Sequence, residues 1–287
     1  MDKGLAAARN LVNVQAMLTS PLPRSYINFV GSRLITWSGT FSGLLRFSLM
    51  TFTIILTKRR VAAAVMHPLV RAQIARAGFR LLPIVLFLAA ALGFVVIGQT
   101  VALLTQVGAQ GLMGTVMVTV VVRELGPILS ALLVLMRTGT ASVIELGAAR
   151  ALGEVEALEA LGIDPIHYLV VPRVLGMAIA VATLTAYLVT GAIFCGYLFA
   201  FLQDVPLLPG EYFRQIAAAL IWQDFVLLGL KAAGFGAIIA MVTCFQGLAR
   251  PIELGDIPLA TTHALVGSFV ACIVLNALFI VVYLLLS

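Results

Sequence analysis

The strongest constraint on the fold is a run of 42 consecutive residues, 81–122, that contains no charged side chain. A membrane-spanning helix needs about 20 predominantly apolar residues, so this run is long enough for two of them. The segment TQVGAQGLMG, residues 105–114, interrupts the run with polar side chains and three glycines. We therefore predict two spans, at about 81–104 and 112–136, joined by a short turn.

Three further apolar stretches predict spans at about 170–201, 222–247 and 259–286. The chain as a whole is 62% apolar and only 10% charged, whereas a soluble domain carries about 25% charged residues. These features predict an all-α membrane protein with five transmembrane helices, which form a permease domain over residues 81–287.

Residues 1–80 form a basic amino-terminal arm with 11 of the 18 Lys and Arg residues and a single acid. Basic segments beside spans face the cytoplasm and its anionic lipids, so the arm does not call for a nucleic-acid partner. Counted over all the loops, one side of the membrane holds 15 Lys and Arg residues and the other holds only Arg214. We predict a cytoplasmic amino terminus and a carboxyl terminus on the opposite side.

The aromatic and apolar stretch 24–57 allows two interpretations. Its arginines favour helices that lie in the cytoplasmic interface of the membrane, with Trp37 at the level of the headgroups. The alternative is a sixth span over residues 34–57, which would bury Arg46 and move the amino terminus to the other side.

Four residues within the predicted spans are candidates for a binding site. Arg123 and Glu124 lie inside the second span and Lys231 inside the fourth, where an ionised side chain costs roughly 2.5–3.5 kcal/mol on insertion scales. They line a substrate cavity or form a buried ion pair, for example between Glu124 and Lys231. His263 begins the fifth span, where it is either structural or a ligand.

The insert 137–169 between the second and third spans is rich in charge. Its sequence GEVEALEALGIDP predicts a short helix with acids in the first turn, Gly162 as a stop and a turn at Asp164-Pro165. Val155, Leu158 and Leu161 form a narrow apolar stripe on that helix. An acidic face lies beside the stripe, so the helix is predicted to dock on a partner.

Several motifs are absent from the sequence. It contains no GxxxxGK[ST] phosphate loop, no GxSxG elbow, no HExxH and no paired histidines. We therefore predict a chain that is not an enzyme and holds neither a cofactor nor a metal of its own.

In the fourth span, Gly229, Ala233 and Ala237 recur at a spacing of four and predict a close helix contact.

The stretch RTGTASVIELGAARALGEVEALEALGIDPIHYLVVPR, residues 137–173, strongly resembles the signature of MlaE/YrbE-type ABC transporter permeases. IGQ at 97–99, RELGP at 123–127 and ATT at 260–262 with a later serine match the same family in order and spacing. One departure is His263, which stands where the family commonly has an arginine after ATT.

The resemblance implies a homodimeric permease in a bacterial inner membrane, with its carboxyl terminus in the periplasm and phospholipid as the substrate. It implies a separate cytoplasmic ATPase, which holds the ATP and Mg²⁺, a periplasmic MCE-domain protein and, in some systems, a STAS-domain subunit. It places Arg123, Glu124 and Lys231 near the lipid cavity, and we add His263 as a candidate. It makes 137–169 the coupling segment, and we expect the ATPase-coupling residues to be Glu145, Arg150, Glu154, Val155, Leu158 and Glu159.

Two other classes of function remain open at the level of sequence. An ion-coupled carrier of a hydrophobic or sterol-like substrate would use Arg123, Glu124 and Lys231 without an ATPase. A membrane scaffold would transport nothing, and removal of the same charges would leave its lipid content unchanged.

Overall fold

The computed structural model describes residues 24–57, 63–107, 110–202, 209–248 and 252–286. These residues form helices joined by short turns and include no strand. The helices, in chain order, are α1 (Arg24–Thr57), α2 (Ala63–Ala77), α3 (Leu82–Val107), α4 (Met113–Ala151), α5 (Glu154–Ala160), α6 (Ile166–Leu202), α7 (Pro209–Ala219), α8 (Trp222–Leu248) and α9 (Ile257–Leu286).

Five stretches of the described chain are helical, long and apolar enough to cross a membrane, which confirms the five-span prediction. They are Met66–Thr100, Met113–Ala151, Ile166–Leu202, Trp222–Leu248 and Leu254–Leu285. The apolar part of α1, Ser42–Thr57, is shorter than a span and is therefore typical of an interfacial helix.

The chain divides into two compact units, Met1–Phe47 and Ser48–Ser287. Within the first unit, the structure describes the amino-terminal part of α1. The second unit contains the rest of α1 and all the other helices. The predicted division of roles at residue 80, between a basic arm and the permease domain, stays a prediction.

Helix α6 is the centre of the second unit. It packs against α2, α3 and α8 and also contacts the middle of α4. Helix α9 packs against α8 and the carboxyl-terminal part of α4, and of the five spans it has the smallest buried share. Much of the surface of α9 is therefore exposed and apolar, as expected of a helix that faces lipid or a second protein chain.

Two glycines with positive φ separate α5 from the spans on either side. Gly153 has a φ of 78° and Gly162 a φ of 73°, a left-handed conformation that L-residues with a side chain rarely adopt. After α5, Gly162 donates its N–H to the carbonyl of Glu159 and Ile163 donates to Leu158, which is the Schellman pattern. The predicted stop at Gly162 is confirmed.

Helix α7 lies across the start of α4 and is fixed there by buried polar contacts. Gln215 accepts a hydrogen bond from the N–H of Gly114 at 3.3 Å. Tyr212 is fully buried, and its hydroxyl donates to the carbonyl of Ile193 on α6 at 3.2 Å. Burial raises the pKa of Tyr212, so the phenol remains a neutral donor.

The close contact between α8 and α6 uses a different row of small residues from the predicted one. Gly229 is exposed and would have nothing within 4 Å of an added Cβ, whereas Ala232, Gly236 and Ala240 are buried. Ala232, Gly236 and Ala240 have the predicted spacing of four, and Gly229 of the predicted row makes no close contact within the described chain. The direction in which a small-residue row faces depends on the neighbouring helix, and the row itself does not specify it.

Candidate functional site

Arg123 and Glu124 lie in a π-helical segment of α4, Val118–Leu125. Such segments interrupt α-helices frequently at functional sites. Pro127 follows, and because proline has no N–H it cannot make the α-helical hydrogen bond to the carbonyl of Arg123, four residues before it. Lys231 of α8 supplies a replacement, since its Nζ donates to that carbonyl oxygen at 2.7 Å.

Lys231 also forms an ion pair with Glu124. Its Nζ lies 3.3 Å from both Oε1 and Oε2, so its three donors are directed at the Arg123 carbonyl and the two carboxylate oxygens. Asn276 of α9 donates from Nδ2 to Glu124 Oε2 at 3.0 Å. Three helices therefore meet at one carboxylate.

Arg123 pairs with Asp224 near the start of α8. Arg123 Nη2 donates to Oδ2 at 3.1 Å, and Nε lies 3.0 Å from Oδ1 as an ion-pair contact without a hydrogen bond. The hydroxyl of Tyr283 donates to Asp224 Oδ1, and the guanidinium lies over the Tyr283 ring at 4.3 Å from its centroid. Asp224 Oδ2 also accepts the N–H of Ile221, which fixes the first turn of α8.

The two ion pairs border a cavity of about 180 Å³ between α4, α8 and α9. The remaining wall is mainly apolar and includes Val122, Leu227, Leu228, Phe279 and Ile280. The cavity thus combines four charged side chains with a hydrocarbon lining. That combination suits a ligand that has both a polar and an apolar part.

The cavity lies near one end of the helix bundle. Asp224 is in the first turn of α8, and Tyr283 is in the last turn of α9. This end also carries α7, and it is opposite the end that carries α5. If the predicted orientation holds, the cavity is in the periplasmic half of the membrane.

The structure brings together three of the four predicted site residues. Arg123, Glu124 and Lys231 border the same cavity. The predicted ion pair between Glu124 and Lys231 is present. His263 is exposed near the start of α9, and the 13 positions between it and Asn276 correspond to about 20 Å of helix. Substrate binding by these four residues stays a prediction.

Sequence reasoning missed three members of the polar cluster, Asp224, Asn276 and Tyr283. A signal was present: Asp224 precedes Lys231 by seven positions, and Asn276 precedes Tyr283 by seven. Residues seven apart lie on the same face of a helix, two turns from each other. Polar pairs at this spacing in otherwise apolar helices indicate faces that meet inside the bundle.

Comparison with known proteins decides the family. The family model for "Permease MlaE" matches residues 70–282, which is most of the chain. The chain belongs to the MlaE permease family. A relative named "Probable ABC transporter permease protein" from Rickettsia felis is 30% identical over 258 residues, which cover 88% of this chain and 95% of the relative.

Two relatives of this MlaE-family chain carry more specific names. The "Intermembrane phospholipid transport system permease protein MlaE" of Haemophilus influenzae is 26% identical over 243 residues, covering 84% of this chain and 91% of that protein. The Arabidopsis thaliana protein "TRIGALACTOSYLDIACYLGLYCEROL 1, chloroplastic" is 30% identical over 217 residues, covering 72% and 60%. The chain is therefore an ABC transporter permease, which implies an ATPase partner.

In this MlaE-family chain, the predicted coupling residues divide by exposure. Glu154 and Glu159 are exposed on α5, and Leu158 is half-buried. Val155 is only 3% exposed and faces the protein, so it anchors α5 and is not available as a surface contact. Arg150 pairs with Glu156 at 3.3 Å across the Gly153 turn.

Glu145 has a different environment from the other coupling residues. Its Oε1 lies 3.4 Å from Arg76 Nη1 on α2, and its Oε2 accepts from Arg173 Nη2 on α6 at 2.9 Å. One carboxylate on α4 therefore connects two other helices at the end of the bundle that carries α5. This geometry assigns Glu145 to contacts within the MlaE-family chain.

Replacing Glu145 with Ala is expected to loosen α2. Because the pair with Arg76 is half exposed, the loss in folding free energy should be small, about 1 kcal/mol. The local effect is measured by hydrogen exchange of the α2 amides, which should become faster. Glu156→Ala, which removes an exposed ion pair of the same segment, is the matched control. Unchanged exchange in α2 of the Glu145 variant would show that Glu145 does not tether it.

Proposed function

We propose that this chain is the membrane subunit of an ATP-driven transporter that moves phospholipid between a bacterial inner membrane and a periplasmic MCE-domain partner. The chain itself binds no ATP and hydrolyses none. The names of the relatives support the substrate class, since one is described as an intermembrane phospholipid transport permease.

The observation that carries the proposal is the cavity between α4, α8 and α9. Charged side chains inside a membrane are costly, and they are normally retained where they face a cavity or pathway. Here two cations and two anions line a space with a hydrocarbon wall. A phospholipid matches that lining, because a charged headgroup and apolar chains occur in one molecule.

The position of the cavity supports exchange with a periplasmic protein. With the orientation predicted from the Lys and Arg distribution, Asp224 and Tyr283 lie toward the periplasm and α5 lies in the cytoplasm. A headgroup held in the cavity would then be close to the surface on which the periplasmic partner sits. In a homodimer, the exposed apolar face of α9 would contact the second copy of the chain.

The outward surface around α5 supports docking of the ATPase. Leu152, Leu161 and Ile163 are exposed apolar residues at both ends of α5, next to the exposed acids Glu154 and Glu159. Apolar anchors surrounded by charge are typical of protein interfaces. A STAS-domain subunit, where present, would bind the ATPase and would leave this surface to the ATPase.

Helix α4 connects the docking surface to the cavity. It is continuous for 39 residues, from Met113 to Ala151, and holds Arg123 and Glu124 near one end. From Arg123 to the Gly153 turn, the helix extends roughly 45 Å at 1.5 Å per residue. A displacement of α5 by the ATPase would therefore be transmitted to the cavity along α4.

Reversing the charge of Glu154 and Glu159 together with Lys is expected to separate ATP hydrolysis from lipid transfer. The double variant places two cations where the docking surface has two anions, and like charges opposed in an interface cost several kcal/mol. Lipid transfer by the reconstituted complex should fall by at least about tenfold, since each 1.4 kcal/mol is one factor of ten. Transfer and phosphate release are measured in the same vesicles.

The matched control for this charge reversal is Glu211→Lys on α7. The Glu211 side chain is 42% exposed, and among the described residues its ion-pair partner is Arg214 at 2.8 Å on the same helix, at the opposite end of the bundle. Such a surface pair contributes little to stability, so the control should fold normally and keep the ATPase bound with normal ATP hydrolysis. Normal coupling in the Glu154/Glu159 double variant would count against a docking role for α5.

The overall proposal is tested by purification in a mild detergent, followed by mass spectrometry of the proteins and lipids that remain bound. We expect an ATPase with a phosphate loop, an MCE-domain protein, a second copy of the chain and phospholipid. The competing ion-coupled carrier predicts a chain that purifies without an ATPase and moves its substrate under an ion gradient. That result would overturn the proposal.

A further inference from the structure

The two members of each ion pair in the cavity differ in exposure. The side chain of Asp224 is 1% exposed and that of its partner Arg123 is 24% exposed. The side chain of Lys231 is 6% exposed and that of its partner Glu124 is 34% exposed. A ligand in the cavity therefore meets one cation and one anion, both from α4, each held in place by a buried counter-charge from α8.

The hydrogen-bonding capacity of the four residues shows the same division. Lys231 directs its three donors at the Arg123 carbonyl and at Glu124, so it has none to offer a ligand. In the described part of the chain, Arg123 donates a hydrogen bond to Asp224 through Nη2, its Nε lies 3.0 Å from Oδ1 without one, and its Nη1 donates to no protein atom. Arg123 is thus the cation with spare donors, and Glu124 is the accessible acceptor.

We propose that the cavity selects a zwitterionic phospholipid headgroup, with the phosphate at Arg123 and the ammonium at Glu124. The inference rests on the proposed function and adds the headgroup class to it. The four charges in the cavity already balance, so an anionic headgroup would bring a negative charge beside Glu124 without compensation. A headgroup with its own ammonium brings no net charge and meets a complementary group at both ends.

The size of the cavity supports a headgroup as its occupant. At about 180 Å³ it is smaller than the roughly 300 Å³ at which sites for whole drug-sized molecules begin. The acyl chains must therefore lie outside it. They have a path along the seam between α4 and α9, where a second cavity of about 70 Å³ is lined almost entirely by apolar side chains.

Asn276 joins the two cavities. It donates to Glu124 at the edge of the polar cavity and also lines the apolar one, together with Leu132, Leu135 and Phe269. The apolar cavity extends from Asn276 toward the end of the bundle that carries α5. A bound lipid would therefore have its headgroup near the start of α8 and its chains directed toward α5.

The inference is tested with the purified chain in mild detergent, incubated with mixed micelles of equal amounts of phosphatidylethanolamine and phosphatidylglycerol. The lipids retained after washing are quantified by mass spectrometry. We expect the wild-type chain to retain the zwitterionic lipid about three- to fivefold over the anionic one, the size of one accessible charge interaction. Glu124→Gln keeps the shape of the side chain and should remove that preference.

A second pair of variants leaves both ion pairs intact, so its result does not depend on whether breaking an ion pair destabilises the chain. Thr119 lines the cavity and takes part in neither pair. Thr119→Lys adds a cation and should shift retention toward phosphatidylglycerol, while Thr119→Gln, of similar length without the charge, should not.

The outcomes separate this inference from the function on which it rests. Equal retention of the two lipids by the wild-type chain, or a preference that Glu124→Gln and Thr119→Lys leave unchanged, overturns the headgroup inference and leaves phospholipid transport standing. Retention of neither phospholipid contradicts the proposed function and this inference with it.

Discussion

Replacing Lys231 with Met is expected to destabilise the chain by about 3 kcal/mol, at the lower end of the cost of breaking a buried ion pair. The lower end applies because the Glu124 side chain is 34% exposed and keeps part of its hydration. The variant also removes the Lys231 Nζ donor from the Arg123 carbonyl, to which Pro127 has no N–H to donate. Thermal unfolding in detergent measures the loss.

The same variant should reduce lipid transfer at least about tenfold, because charge-assisted hydrogen bonds that position Glu124 are worth about 1.5–3 kcal/mol. The double variant Lys231→Met with Glu124→Met separates stability from function. Replacing both members of a buried pair by apolar residues is often neutral, so most of the stability should return. Transfer should remain low, since the accessible anion is gone. Wild-type transfer by the double variant would show that lipid transfer does not need the Glu124–Lys231 pair.

Replacing Gly236 with Ala is expected to cost about 2 kcal/mol of stability, although Ala is the better helix former. An added Cβ would lie 2.4 Å from the carbonyl oxygen of Met177 and 2.7 Å from Cα of Ala178. Both are backbone atoms of α6, so no side chain can rotate away. The two helices would have to separate, and the core around the buried Phe235 would lose contacts.

Gly229→Ala is the matched control, two turns earlier on the same helix. Its Cβ would meet nothing within 4 Å, so the change should be neutral or stabilise the chain by up to about 1 kcal/mol. Both variants make the same Gly→Ala change, and their effects on stability are predicted to differ in direction. Equal effects in a thermal unfolding experiment would show that the approach of α8 to α6 does not limit stability.

The five spans and α5 could be predicted because each depends on local features. Uncharged stretches of sufficient length have few alternatives to a spanning helix. Gly153 and Gly162 set the two ends of α5. The Glu124–Lys231 pair was foreseen as one of two interpretations, because ionised residues inside spans require partners or a cavity.

The remainder of the site depends on how the helices are rotated against each other. Whether Gly229 or Gly236 meets α6, and whether Val155 faces the protein or the solvent, is decided by packing between helices distant in sequence. Asp224 was overlooked because it stands at the end of a span, where an acid has an ordinary role in the first turn of a helix. Its contact with Arg123 appears only when α4 and α8 are placed together.

The most direct test of the central claim is ATP-dependent transfer of labelled phospholipid by the chain and its ATPase in proteoliposomes, measured together with ATP hydrolysis. Donor and acceptor vesicles are separated after the reaction, and a non-hydrolysable ATP analogue provides the baseline. The account predicts that label moves only with ATP and that the Lys231→Met complex moves at most about a tenth as much. Hydrolysis by the wild-type complex without any movement of phospholipid above the analogue baseline would contradict it.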